Sequence, residues 1–254
     1  MILSRYAMPS SLRAGKLTHE GDPMTYAQPD QRINKFASDL VLWIARHWVA
    51  IFTALWGVYW LLPLLAPVFM HLGLTAPARL IYYIYSFFCH QLPDHSYFFF
   101  SHSHEAAPST AELVAGGMPE GLSLLQVRRF IGNPEVGYKA AVCQRDVAIY
   151  GAIFLASFSY GLLRRRIRGI HWKLFLLLAL PMAIDGGVQL IGLRESNWLL
   201  RTITGALFGV GAIWFLYPFI QTSMDEVIRN EQQLNAPHEM KQDLRKPLES
   251  SSEI

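Results

Sequence analysis

The sequence is poor in charge and in cysteine, and each shortage excludes a class of protein. Of its 254 residues, 16% are charged and 52% are hydrophobic, whereas soluble domains carry about 25% charged residues. The charges lie in short blocks between long apolar runs, which indicates a polytopic membrane protein. Two cysteines exclude a disulfide-rich scaffold. A net charge of +3, without a basic face interleaved with aromatic residues, argues against nucleic-acid binding.

The first twenty residues do not resemble a cleavable export signal, and the common catalytic motifs are lacking. Residues 1–20 contain no apolar core and no small-residue cleavage site, so we expect no cleaved signal peptide. No Walker motif, GxGxxG, HExxH or Ser-His-Asp spacing is present. No reaction can therefore be read from a motif, and the first membrane span is expected to direct insertion.

Four apolar stretches are long enough to cross a bilayer, which takes about 20 residues. They lie at about residues 48–70, 140–163, 170–192 and 198–220. The sequence therefore predicts an all-α membrane protein whose membrane domain, residues 36–221, has four transmembrane helices. The apolar segment at residues 78–89 is too short to span alone, so we expect a re-entrant or interfacial half-helix there.

The segments outside these spans are polar. We expect a flexible arm at residues 1–35 and a charged tail at residues 222–254. An amphipathic helix on the membrane surface is predicted at residues 33–47, just before the first span. The external interval at residues 71–139 has little periodicity, apart from a short helix predicted at residues 122–131.

One basic loop sets the predicted orientation. Residues 164–173 contain five lysines and arginines and no acid, and loops of this kind stay in the cytoplasm. We therefore expect a multi-pass protein of the cell membrane with both termini in the cytoplasm. The expected partner is the lipid bilayer, with a homo-oligomer or another subunit of a membrane complex left open.

Polar residues that are rare in membrane spans gather at the outer level of the predicted bundle. The second span carries Cys143, Arg145 and Asp146 near its outer end, and Cys89 and His90 end the half-helix on the same side. The third and fourth spans contribute Asp185, Gln189, Asn197, Arg201 and Thr204. Helical spacing places Cys143 and Asp146 on one face of the second span and Asp185 and Gln189 on one face of the third. It likewise places Asn197, Arg201 and Thr204 on one face of the fourth. The sequence therefore predicts an enclosed polar site that opens outward.

The two cysteines admit a metal site, a disulfide or two free thiols. Thiolate, imidazole and carboxylate groups are all zinc ligands. The candidate ligands are Cys89, His90, Cys143 and Asp146, and zinc is the predicted cofactor. A Cys89–Cys143 disulfide would instead pin the half-helix to the second span.

The intramembrane charges admit a structural or a catalytic role. Asp185 is expected to pair with Arg201 or Arg145, and Arg145 alternatively with Asp146, so that the pairs hold helices together. In an enzyme, Asp146 or Asp185 would be the acid/base residue. Arg145 or Arg201 would then bind an anion. Four spans without an inverted repeat argue against a transporter.

In these residues the chain resembles the bacterial and archaeal membrane proteins grouped as domain of unknown function 2085. The resemblance runs from about residue 78 to 220 and rests on ordered motifs at residues 89–93, 98–99, 142–145, 149–151, 181–189 and 197–205. The chain departs from the family pattern at Asp146, where a second cysteine is usual, and at His95, where arginine is usual. The resemblance implies the architecture and the polar site, and it implies no reaction.

These observations predict a membrane protein of unknown activity whose outward-facing Cys/His/Asp/Arg site binds a metal ion or a small ligand. One alternative is a membrane-embedded enzyme that acts on a lipid or a periplasmic substrate. The other is a structural subunit held by the Cys89–Cys143 disulfide.

Overall fold

The computed structural model describes residues 31–102, 106–164, 166 and 169–235. Contacts divide the chain into two units, residues 1–39 and residues 40–254. The described part of the first unit is the beginning of the first helix, and the second unit contains the other described elements. Most of the predicted arm and most of the predicted tail lie outside the described residues.

The described residues form seven α-helices and three short strands. The helices are α1 (Gln31–His71), α2 (Thr75–Tyr85), α3 (Thr110–Ala115), α4 (Leu124–Arg129), α5 (Gln144–Leu163), α6 (Trp172–Leu190) and α7 (Trp198–Asn235). The strands are β1 (Ser96–Phe99), β2 (Gly132–Asn133) and β3 (Gly137–Cys143), and a 3-10 turn at Pro93–His95 precedes β1. The fold is therefore all-α with a minor sheet, and α4 lies within the short helix predicted at residues 122–131.

Four helices, α1, α5, α6 and α7, are long and apolar enough to cross a membrane. This confirms the four predicted helices and shifts their ends. The surface helix predicted at residues 33–47 and the first span form one helix, α1. Residues 31–56 contain no proline or glycine that would interrupt it.

Helices α5 and α7 run parallel and pack at close range. A Cβ atom at Gly205 would lie 3.0 Å from the Arg145 carbonyl oxygen, and one at Gly209 would lie 2.6 Å from the Ile149 carbonyl oxygen. Only residues without a side chain allow two helix backbones to come this near. Gly205 and Gly209 thus lie against α5, at the level of the polar residues.

Aromatic residues hold α1 against α5 and α7 at the opposite end of the bundle. The Trp48 ring lies 4.9 Å from the Tyr217 ring, and the Tyr217 ring lies 5.3 Å from the Tyr160 ring, between centroids. The Ser157 and Tyr217 hydroxyl oxygens are 2.9 Å apart. Helix α6 packs along α7, with the Phe175 and Phe215 rings stacked at 4.8 Å, and contains no buried residue.

The second span begins later than the sequence predicted. Residues 140–143 belong to β3, the central strand of an antiparallel sheet with the order β1-β3-β2. The apolar run Ala140–Cys143 fits a strand buried on both faces as well as it fits a helix, so hydrophobicity alone misplaced the boundary. The aromatic residues Tyr97, Phe98 and Phe99 supply most of β1.

The external interval is folded onto this sheet. Phe98 of β1 packs in a small core with residues that include Leu113 of α3 and Val136. Helix α2 buries one face, and the Tyr82 hydroxyl donates to the Lys139 carbonyl oxygen at 2.5 Å. α2 is too short to span a bilayer, and its re-entrant or interfacial character stays a prediction.

Candidate functional site

Three of the four predicted metal ligands come together where β3 ends and α5 begins. Cys143 is the last residue of β3 and the N-cap residue of α5, Asp146 lies in the first turn of α5, and Cys89 follows α2. One ligand atom from each residue lies within 4.8 Å of those of the other two. Cys89 is buried, and Cys143 and Asp146 are half-buried. We call these three residues the thiol–carboxylate group.

The fourth predicted ligand, His90, lies outside this group. Its side chain is exposed, and among the described residues its ring is not one of the groups that lie within 4.8 Å of one another here. The next residue, Gln91, is buried and has φ 53°, in the left-handed region. Gln91 thus takes an unusual backbone conformation in a loop where Cys89 and Gln91 are buried and His90 between them is exposed.

Gln91 joins the Cys89 segment to β3. Its Nε2 donates to the Tyr82 carbonyl oxygen at 2.9 Å and to the Ala141 carbonyl oxygen at 2.8 Å. A non-glycine residue with positive φ is held only where its surroundings fix it, and these two hydrogen bonds do so. Next to them, the Cys143 backbone N–H donates to the Cys89 sulfur at 3.2 Å.

A buried lysine reinforces the same segment. Lys139 of β3 has no exposed surface, and its Nζ donates to the carbonyl oxygens of Gln91 at 2.6 Å and of Arg128 at 2.7 Å. Burial lowers the pKa of Lys139 to about 7. The Arg128 guanidinium in turn donates to the carbonyl oxygens of Ser86 and Cys89. The loop that carries Cys89 is therefore tied down from both sides.

The two cysteines are free in this structure. A hydrogen bond between their side chains, together with burial, raises the pKa of the Cys143 thiol. A metal ion favours the thiolate form, so ion binding by this pair would release protons.

Arg145 pairs with Asp185, which is one of the ion pairs that the sequence predicted. Arg145 donates through Nη2 to Asp185 Oδ2 at 2.6 Å and to Gln189 Oε1 at 3.1 Å. The Asp185 side chain is 7% exposed, so the pair joins α5 to α6 in a largely dry environment. Arg201 does not take Asp185 as its partner. Its Nη1 donates to Gln144 Oε1 at 3.3 Å, and its Nη2 lies 3.7 Å from the Glu195 carboxylate.

Two of the predicted polar residues, Asn197 and Thr204, form hydrogen bonds with the backbone at the start of α7. Asn197 is exposed, and its Oδ1 accepts from the Leu200 N–H at 2.8 Å, as an N-cap residue does. The Thr204 hydroxyl is buried and donates to the Leu200 carbonyl oxygen at 2.8 Å. These contacts satisfy the helix backbone, so neither residue is shown to face a ligand.

A cavity of about 750 Å³ connects the thiol–carboxylate group to the arginines. Its polar lining includes Cys89, Cys143, Asp146, Arg145, Gln189 and Arg201. Its apolar lining includes Phe88, Leu124 and Leu190. Helix ends from α5, α6 and α7 meet here, as predicted from the levels of the polar residues in their spans.

The predicted site residues did not include three buried polar residues that position this site, namely Gln91, Lys139 and Gln144. Lys139 interrupts an apolar run, which was a usable signal, because a lysine is buried only when its ammonium group finds acceptors. Gln91 and Gln144 stand beside the cysteines. Their roles depend on backbone carbonyls that the sequence does not bring together.

The fold and the site together define a multi-pass membrane protein with a thiol–carboxylate group beside a cavity that contains two arginines. The chain belongs to the family of predicted membrane proteins called domain of unknown function 2085, whose match covers residues 135–215. That match includes Cys143 and Asp146 and begins after Cys89.

Two relatives support the assignment. An uncharacterized protein of Methanocaldococcus jannaschii is 31% identical over 168 residues, which cover 63% of this chain and 85% of that protein. An uncharacterized protein of Methanothermobacter thermautotrophicus is 39% identical over 75 residues, which cover 30% of this chain and 68% of that protein. No solved structure matches the chain.

Proposed function

We propose that this membrane protein binds a divalent transition-metal ion, with zinc as the best fit, through Cys89, Cys143 and Asp146. The observation that carries this proposal is the separation of the three ligand atoms, all within 4.8 Å of one another. In a tetrahedral zinc site such atoms lie about 3.5–3.8 Å apart, given zinc bonds of about 2.0–2.3 Å. Small side-chain movements would therefore complete the site.

The kinds of ligand also favour zinc. Two sulfurs and one carboxylate suit a borderline-soft ion, whereas magnesium and calcium prefer oxygen ligands. Three protein ligands leave a fourth position for water or substrate, as in catalytic rather than structural zinc sites. The ligands are also held in place. Gln91 and Lys139 fix the loop after Cys89, Cys143 is the N-cap of α5, and Asp146 lies in its first turn.

The basic loop between α5 and α6 supports an orientation for this site. With residues 164–173 in the cytoplasm, the start of α5 and the cavity face outward, and both termini are cytoplasmic. The protein would then bind its ion from the outer side of the cell membrane.

Metal content tests the proposal. Detergent-purified protein would be loaded with zinc, dialysed and measured by elemental analysis for the wild type, Cys143→Ser, Asp146→Asn and His90→Ala. We expect about one zinc per chain in the wild type and in the matched control His90→Ala, and none in Cys143→Ser. Asp146→Asn should bind zinc more weakly, because it loses a charged ligand.

Two outcomes would contradict the metal site. One is zinc in Cys143→Ser at the wild-type level. The other is a wild type without zinc and without free thiols under denaturing conditions, which would establish the Cys89–Cys143 disulfide and a structural role.

A membrane-embedded enzyme is the second candidate function. The cavity favours it, because an open metal position beside arginines can hold an activated water near an anionic substrate. A zinc-dependent hydrolytic activity that Cys143→Ser abolishes would support this candidate over simple metal binding.

A further inference from the structure

We infer that the cavity beside the thiol–carboxylate group binds the phosphate group of an anionic lipid, with Arg201 and Arg145 as its ligands. The inference goes beyond metal binding, because both arginines would bind phosphate whether or not an ion is present. It follows from the partners of these arginines and from the mixed lining of the cavity.

The buried positive charge of Arg201 is only weakly neutralised by its neighbours. Its side chain is only 5% exposed. The neutral amide of Gln144 accepts from Nη1 at 3.3 Å. The Glu195 carboxylate, at 3.7 Å from Nη2, is 81% exposed and therefore largely screened by water. A buried guanidinium normally has a close carboxylate or phosphate partner, and the cavity is where such a partner would bind.

Arg145 lines the same cavity, and the donors of its guanidinium are only partly used. Its Nη2 is occupied by Asp185 and Gln189, but its Nε is buried and has no hydrogen-bond partner among the described residues. The positive charge of Arg145 also acts on Arg201. An anion between the two would offset their repulsion, and a phosphate has enough oxygens to accept from both.

The apolar lining points to a lipid as the source of the phosphate. Phe88, Leu124 and Leu190 are 67%, 67% and 87% exposed, respectively. They lie along the same cavity as the arginines, and Leu190 ends the membrane-spanning helix α6. Free phosphate would leave these side chains without a role, whereas the acyl chains of a lipid would cover them.

Binding of a short-chain phosphatidic acid to the full chain in detergent tests this inference. The measurement would be made with a chelator and again with zinc, so that a missing metal site does not hide phosphate binding. We expect binding in both conditions. Arg201→Gln should weaken it by about tenfold or more, because it removes a charged hydrogen bond. The matched control Arg229→Gln, at an exposed position of α7, should stay within about twofold of the wild type.

A second variant, at an exposed position outside the core, distinguishes binding of the acyl chains from binding of the phosphate group. Leu190→Asn should weaken the binding of phosphatidic acid and leave that of inorganic phosphate unchanged. The phosphate site is overturned if Arg201→Gln binds as the wild type does, or if phosphatidylcholine, which carries no net charge, competes equally. Equal competition by inorganic phosphate would overturn the lipid as the source.

Discussion

Lys139 is a lysine without exposed surface in the centre of a strand, and its position makes stability depend on pH. Its pKa is about 7 in the folded protein against 10.5 in the unfolded chain. Between these values the unfolded chain binds more protons, so stability contributed by this group rises with pH from about 7 to about 10.5. Below pH 7 the charged ammonium is present in both states and carries its full burial cost.

We therefore expect the free energy of unfolding to rise faster with pH in the wild type than in Lys139→Met, by up to about 1 kcal/mol per pH unit. Denaturant titrations in mixed micelles at a series of pH values would measure both slopes. Lys139→Met also leaves two carbonyl oxygens without a donor, but that cost does not depend on pH. Parallel pH profiles for the two proteins would show that Lys139 does not titrate in this range.

At the scale of single elements, the close contact between α5 and α7 requires glycine at position 209. A Cβ atom at Gly209 would come within 2.6 Å of the Ile149 carbonyl oxygen, whereas one at Gly187 of α6 would meet nothing within 4 Å. Gly209→Ala should therefore lower the midpoint of thermal unfolding in detergent. It should also weaken zinc binding, because the proposed ligands Cys143 and Asp146 lie at the N-cap and in the first turn of α5.

The matched control is Gly187→Ala, which also places alanine within a helix. Because alanine favours helix over glycine by about 1 kcal/mol, this variant should be as stable as the wild type or slightly more stable. If both variants lowered the midpoint equally, loss of glycine itself rather than the helix contact would be responsible.

The same elements show how far sequence reasoning reached. The four long helices followed from apolar length, since a bilayer demands about 20 apolar residues. The start of α5 did not follow, because Ala140–Cys143 is apolar in a strand and in a helix alike. Its strand identity depends on pairing with β1, and Cys143 lies opposite Ser96, far away in sequence.

For the site, the sequence predicted which polar residues lie at the same level but not which of them pair. The levels of the polar residues in their spans correctly placed them at one end of the bundle. Asp185 pairs with Arg145 and not with Arg201. Which arginine it meets depends on how the helices are rotated about their axes, and residue spacing does not fix that rotation. His90 is exposed although Cys89 beside it is buried, and a sequence pattern does not reveal which of two adjacent loop residues turns inward.

At the scale of the whole molecule, the orientation in the membrane decides which compartment supplies the ligand. With residues 164–173 in the cytoplasm, a reporter that is active only in the cytoplasm should work when fused to the C-terminus. The same reporter should fail when inserted near Gly121, in the loop before α4. The contact of Arg145 with Gly205 and of Ile149 with Gly209 makes α5 and α7 parallel, so both must enter from the same side. The opposite reporter pattern would place the cavity on the cytoplasmic side.

The direct passage of β3 into α5 has a mechanical consequence. Cys143 is both the last residue of the strand and the N-cap of the helix, so no flexible linker separates the sheet from the membrane helix. A displacement of α5 along its axis would pull β3 with it, and the Cys89 loop would follow, because Gln91 and Lys139 tie that loop to β3. The thiol–carboxylate group would then move with α5 as one rigid body, so its internal geometry would be insulated from shifts of the helix in the membrane.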